Sequence, residues 1–131
     1  MTVKIRRVYA DVPLPSCAHP GDAGIDLASA NDYRLRPGET KLIDTGLQIE
    51  TPKGYFLSIV PRSGLATKSW LVLVNAPGTV DTATYRNNIY LPMRNLGSDD
   101  IEISRGQRIA QGIFLKYETV KFQEVKQFSK S

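Results

Sequence analysis

The stretch TKLIDTGLQIETPKGYFLSIV, residues 40–60, decides the fold class. Two short runs rich in β-branched and aromatic residues, 40–49 and 55–60, flank the turn signal Pro52-Lys53-Gly54. The same pattern continues on both sides. Pro20-Gly21, Arg36-Pro37-Gly38, Ala76-Pro77-Gly78, Leu96-Gly97-Ser98 and Arg105-Gly106 punctuate further runs at 33–35, 71–74, 88–93, 100–103 and 107–114. Many short strands separated by turns predict an all-β sandwich or barrel. Asp100-Ile-Glu-Ile103 alternates polar and apolar, as a half-buried strand should. Residues 63–69 alone suit a helix, and Gly64 limits it to a turn or two. No internal repeat, low-complexity segment or linker interrupts the chain. The expected organisation is a single domain over 1–131, in which about 117–131 forms a last strand and a frayed tail.

The bulk numbers exclude several classes. The chain has 131 residues, 41% apolar and 23% charged, the profile of one ordinary globular domain. No apolar run approaches the roughly 20 residues of a membrane span. The opening Met1-Thr-Val-Lys-Ile-Arg-Arg7 has no apolar segment after its basic residues, so a secretory signal is not expected. One cysteine, Cys17, allows no internal disulfide and fits a reducing compartment. The expected location is cytoplasmic, or a host cytoplasm or nucleus for a viral protein. Net charge is +4, which suits an anionic ligand and equally suits simple solubility. Basic residues do not interleave with clustered aromatics, so a nucleic-acid surface is not expected.

Chemistry is narrowed by what is scarce. One histidine, His19, and one cysteine cannot build an imidazole or thiolate metal cluster. His19 reads as a solvated loop residue, and no nucleophile elbow, GxxxxGK[ST] or GxGxxG occurs. Carboxylates, arginines, serine, glutamine and backbone groups remain, and that set suits phosphate hydrolysis with magnesium. In Pro61-Arg-Ser-Gly-Leu-Ala66, Arg62 offers a planar donor fork, while Ser63 and the N–H groups around Gly64 add neutral donors. The plain structural alternative is a strand-to-helix turn with Ser63 as N-cap. In Asn75-Ala-Pro-Gly-Thr-Val-Asp81, Asn75 carries a donor and an acceptor that mimic a base-pairing edge. Gly78 permits close approach of a planar ring, and Asp81 is placed to be a general base. The alternative there is a hairpin with a solvated aspartate. Asp26, between apolar Ile25 and Leu27, reads as a partly buried carboxylate needing an arginine or a metal-bound water. Asp99 and Asp100 read as a solvated turn. Arg108 and Gln111 are three apart and face opposite sides of a strand unless a bulge intervenes.

Taken together these segments resemble the trimeric dUTPase family (deoxyuridine 5′-triphosphate nucleotidohydrolases). Four motifs occur in order between residues 12 and 115: Asp22-Ala-Gly-Ile-Asp-Leu-Ala28, Pro61-Arg-Ser-Gly-Leu-Ala66, Asn75-Ala-Pro-Gly-Thr-Val-Asp81 running on to Tyr85-Arg86, and Gly106-Gln-Arg-Ile-Ala-Gln111. The resemblance implies a distorted jelly-roll β-barrel, a homotrimer, and sites shared between subunits that convert dUTP to dUMP and pyrophosphate with Mg2+. Asp81 would activate the attacking water. Tyr85 would pack under the deoxyribose. Asn75 and the backbone of Gly78, Thr79 and Val80 would read uracil. Arg62, Ser63, Gly64 and Gln111 would hold the phosphates, and Asp26 would place magnesium waters.

The chain departs from that pattern in three places. Asp81 and Tyr85 are one residue further apart than in the family, which implies a bulge or longer loop and bears on sugar selectivity. Asn87-Asn88 stands where a Gly-Glu pair is common, and Asn still suits a left-handed turn. The glycine-rich fifth motif is not found before Ser131, and the expectation is that dUTP binds while turnover is slow. The alternative readings are a catalytically weak dUTP-binding or regulatory trimer and, less favoured, a relative of dCTP deaminase.

Overall fold

The structure is a computed structural model that describes residues 1–17 and 19–130. Eleven short strands are described: β1 Lys4–Arg7, β2 Ile25–Ala28, β3 Tyr33–Leu35, β4 Thr40–Asp44, β5 Leu47–Glu50, β6 Tyr55–Pro61, β7 Leu71–Leu73, β8 Gly78–Val80, β9 Tyr90–Asn95, β10 Ile101–Ile103 and β11 Arg108–Lys116. One short helix, α1 Leu65–Ser69, and one 3₁₀ turn, Thr82–Thr84, complete the set. The fold is all-β, and no helix among the described residues is long and apolar enough to cross a membrane.

Pairing is antiparallel throughout the described ladders. The largest sheet runs β2-β11-β6-β8, a second runs β4-β9-β7, and two ribbons pair β1 with β5 and β10 with β3. β5, β7 and β9 bury alternate residues, and the sheets enclose one core of Leu27, Leu35, Ile43, Leu47, Leu57 and Ile109 among others. Each such side chain contributes roughly 1.5–3 kcal/mol on burial.

The expected run at 40–49 divides into β4 and β5. Asp44 accepts the Gly46 N–H at 2.8 Å and Gly46 takes φ +66°, a conformation that favours glycine. A local side-chain bond thus turns the chain from one sheet into another. Residues 117–130 form no strand, unlike the expected last strand. The Tyr117 N–H still meets Gly54 O at 3.1 Å, but β6 already carries β11 and β8 on its two edges. Beyond that point Phe122 and Phe128 stand 97% and 94% exposed, so no apolar contact draws the segment into the core.

Candidate active site

Three strands build the first pocket. Gln111 on β11 lies opposite Asp26 on β2 and Val60 on β6. The β11 register shifts between Arg108 and Ala110, a bulge that lets Arg108 approach the same carboxylate. The Asp26 side chain is largely buried. Arg62 Nε lies 3.2 Å from Asp26 Oδ1, and Arg108 Nη1 lies 3.6 Å from Oδ2. The second distance is too long for a hydrogen bond, and buried Oδ2 has no hydrogen-bond partner. Arg62 Nη1 also donates to the Arg108 carbonyl at 3.1 Å, so the guanidinium is held from two sides. Gln111 Nε2 donates to the Pro61 carbonyl at 3.1 Å. A cavity of about 430 Å³ is lined by His19, Asp22, Gly24, Asp26, Arg62, Ser63 and Gln111.

Ser63 is an exposed member of this cavity and not a helix cap. The N-cap of α1 is Gly64 at φ +91°, with no side-chain cap hydrogen bond. His19 is exposed, as expected, but its loop closes one wall, where its N–H donates to Asp22 Oδ2 at 2.9 Å. Among the described lining residues Arg62 stands beside the carboxylates of Asp22 and Asp26, and its planar donor fork, with neutral donors next to it, suits phosphate oxygens.

A second cleft opens at the other edge of β6. There Ile59, Ser58 and Leu57 pair with Gly78, Thr79 and Val80 of β8. The cleft has a volume near 630 Å³ and is lined by Asn75, Gly78, Thr79, Val80, Thr84 and Asn88, among others. A Cβ at Gly78 would sit 3.3 Å from Asn75 Nδ2, so glycine keeps room for that amide. Asp81 follows β8 directly, is exposed, and accepts the Ala83 N–H at 3.1 Å, capping the 3₁₀ turn. Tyr85 does not line this cleft. It lines a neighbouring cavity with Ile5, Arg6 and Gln48, and its hydroxyl accepts Arg86 Nε at 2.9 Å. Asp100 is solvated as expected and pairs with Arg34 at 2.9 Å.

The structure therefore groups Asp26, Arg62, Ser63 and Gln111 in one pocket and Asn75, Gly78, Thr79 and Val80 in another. The two share no lining residue. Sequence reasoning overlooked Thr84 and Gly24. The signal for Thr84 was its position three residues after Asp81, one turn of a 3₁₀ helix.

A family model for dUTPase matches residues 10–131. The chain belongs to the dUTPase family. Curated relatives named deoxyuridine 5'-triphosphate nucleotidohydrolase include one from Thermobifida fusca, 48% identical over 98% of this chain and 72% of the relative. Another, from Trichodesmium erythraeum, is 41% identical over 98% of this chain and 90% of the relative. As a dUTPase-family chain it is an enzyme of dUTP hydrolysis, a dUTP diphosphatase. Among solved structures, a dUTPase from phage phi11 of S. aureus superposes with TM-score 0.92 at 22% identity, covering 99% of this chain and all of that one. A Staphylococcus bacteriophage 80alpha dUTPase bound to dUpNHpp gives TM-score 0.91 at 23% identity, covering 99% of this chain and 91% of that chain. At such identity the likeness establishes the shared dUTPase fold.

Proposed function

We infer that this chain, as one domain over 1–131, hydrolyses dUTP at composite sites in a cytoplasmic homotrimer. The observation that carries the composite site is the separation of the phosphate pocket from the Asn75 cleft on one chain. A nucleoside triphosphate needs both at once, and a second copy supplies the missing half. An outward apolar face supports assembly. On the β4-β9-β7 sheet Leu42 and Tyr90 are exposed, with Pro92 opposite Leu42 and Val74 just beyond β7.

Arg62, Ser63, Gln111 and the N–H groups around Gly64 bind the phosphates of one copy's ligand. Asn75 and the backbone of Gly78, Thr79 and Val80 of another copy hold the uracil. Asp81 takes a proton from water as the water oxygen bonds to the α-phosphorus. The α–β bridging bond breaks, pyrophosphate leaves with the bond's electrons, and dUMP remains.

The donor set fits Mg2+ held through water. Among the described residues no group of three or more His, Cys, Asp or Glu forms a metal cage. Asp26 Oδ2, which accepts no hydrogen bond, instead suits a water on a cation bound to the triphosphate. When bound, the ion neutralises phosphate charge. The phage phi11 dUTPase is described with a structural Mg(II) ion.

The test is subunit mixing. Arg62→Ala and Asp81→Asn copies, each slow alone, regain pyrophosphate release when unfolded and refolded together, because some sites pair an intact pocket with an intact Asp81. Light scattering should report three chains. A monomer, or no recovery on mixing, overturns the composite site.

A further inference from the structure

The turn after Asp81 determines which side chain meets the pentose. Residues Thr82–Thr84 form a 3₁₀ turn capped by Asp81. Such a turn has about three residues per revolution, so residues three apart eclipse. Thr84 therefore returns to the side of Asp81, and Tyr85 is rotated away by about a third of a revolution. The side chains agree with that count. Thr84 lines the 630 Å³ cleft together with Asn75, Gly78, Thr79 and Val80. Tyr85 lines the separate cavity against Ile5, Arg6 and Gln48.

Several bonds fix this choice. The Thr84 N–H and the Asn87 N–H close the turn on Asp81 O at 3.4 Å and Thr84 O at 3.0 Å. Gln48 Nε2 donates to the Arg86 carbonyl at 2.9 Å and to Asn88 Oδ1 at 3.0 Å. The Arg86 guanidinium stacks 5.3 Å from the centre of the Tyr85 ring. Swinging the Tyr85 ring into the cleft forfeits this stacking and the bond its hydroxyl accepts from Arg86 Nε at 2.9 Å.

We propose that this chain accepts pyrimidine ribonucleoside triphosphates, UTP above all, because Thr84 and not an aromatic ring faces the sugar. This rests on the cleft being the nucleoside site. Exclusion of a 2′-hydroxyl needs a wall that clashes with it or leaves it without a partner. Thr84 is short, its hydroxyl donates to the Asp81 carbonyl at 3.4 Å and still has lone pairs to accept with, and Asn87 lines the same cleft. A 2′-hydroxyl meets polar groups there, so its desolvation is compensated. Sites that merely tolerate an added hydroxyl discriminate by about 10²-fold. The chemistry is unchanged: water bonds to the α-phosphorus of UTP, Asp81 receives the proton, and pyrophosphate departs from UMP.

The experiment compares kcat/KM for dUTP and UTP by pyrophosphate release from the full chain. The expected preference for dUTP is about 10²-fold or less. Thr84→Tyr places a ring in the cleft and raises that preference at least tenfold through lost UTP turnover, whereas Tyr85→Ala leaves the ratio within about twofold. Calorimetric binding of the non-hydrolysable imido analogues of dUTP and UTP gives the same ratio should turnover be slow or a variant unstable. A preference above about 10³-fold, or a collapse of the ratio in Tyr85→Ala, overturns the inference and leaves dUTP hydrolysis standing. Failure to bind or hydrolyse either nucleotide overturns both.

Discussion

Arg62 and Asp26 anchor the proposed phosphate pocket, with Nε 3.2 Å from Oδ1. The pair sets the direction of the guanidinium before any ligand arrives, and preorganised donors lose less entropy on binding. Arg62→Ala removes a donor fork and leaves a largely buried carboxylate with only the distant Arg108. The expected result is a fall in both affinity and turnover, with a stability loss of about 1–3 kcal/mol. Arg62→Lys recovers charge but not the fork, so steady-state kinetics should place it much nearer Ala than wild type.

Asp81→Asn separates chemistry from folding. The amide oxygen still accepts the Ala83 N–H, so the 3₁₀ cap persists. An amide does not take the proton of water at neutral pH. Turnover should drop about 10²-fold or more, while analogue affinity stays within a few fold. If kcat barely moves, another group activates the water.

Gly24 controls Gln111. A Cβ at Gly24 would lie 2.5 Å from Gln111 Oε1. The obstacle is the end of a flexible side chain, so Gly24→Ala should cost little stability and turn the amide out of the pocket. KM for dUTP should rise roughly tenfold, equivalent to about 1.4 kcal/mol, with the melting temperature nearly unchanged. A large melting shift with normal KM would contradict this.

The Tyr9 phenol is held above its ordinary value of 10.0 by the hydrogen bond it donates to Asp44 and by that carboxylate's charge. An acid raised in the folded state stabilises the fold fully below the unfolded value. That contribution fades as pH climbs from about 10 through the folded value, because the unfolded chain releases its proton first. Tyr9→Phe should therefore be less stable than wild type at pH 8, and the gap should narrow above pH 10 in denaturant titrations. A gap independent of pH would remove the linkage.

Much of the fold was legible because punctuation and burial coincide. β3 falls on the expected 33–35, and β6 begins and β11 continues close to the runs marked by turns. β1 was hidden because Lys4, Ile5, Arg6 and Arg7 are all exposed, and only the register with β5 makes them a strand. β8 was hidden because its first residue is a glycine, and its strand character comes from pairing with β6. In the site, residue types singled out groups that line two cavities of the structure. Their division between two cavities and the exchange of Tyr85 for Thr84 depend on helical phase and distant tethers, which no local pattern encodes.

The corner at Gly46 ties the two ends of this architecture together. A methyl group there would come within 2.7 Å of Val12 Cγ2 and 2.9 Å of Tyr9 Cδ2. Tyr9 and Val12 thus sit against the bend, with Val12 inserted among the core side chains. A protease that clips this leading segment would take the Tyr9 hydroxyl from Asp44 and loosen that carboxylate, which accepts the amide of Asn88, a residue lining the proposed nucleoside cleft. Damage at a remote terminus would then be felt as a misshapen ligand site.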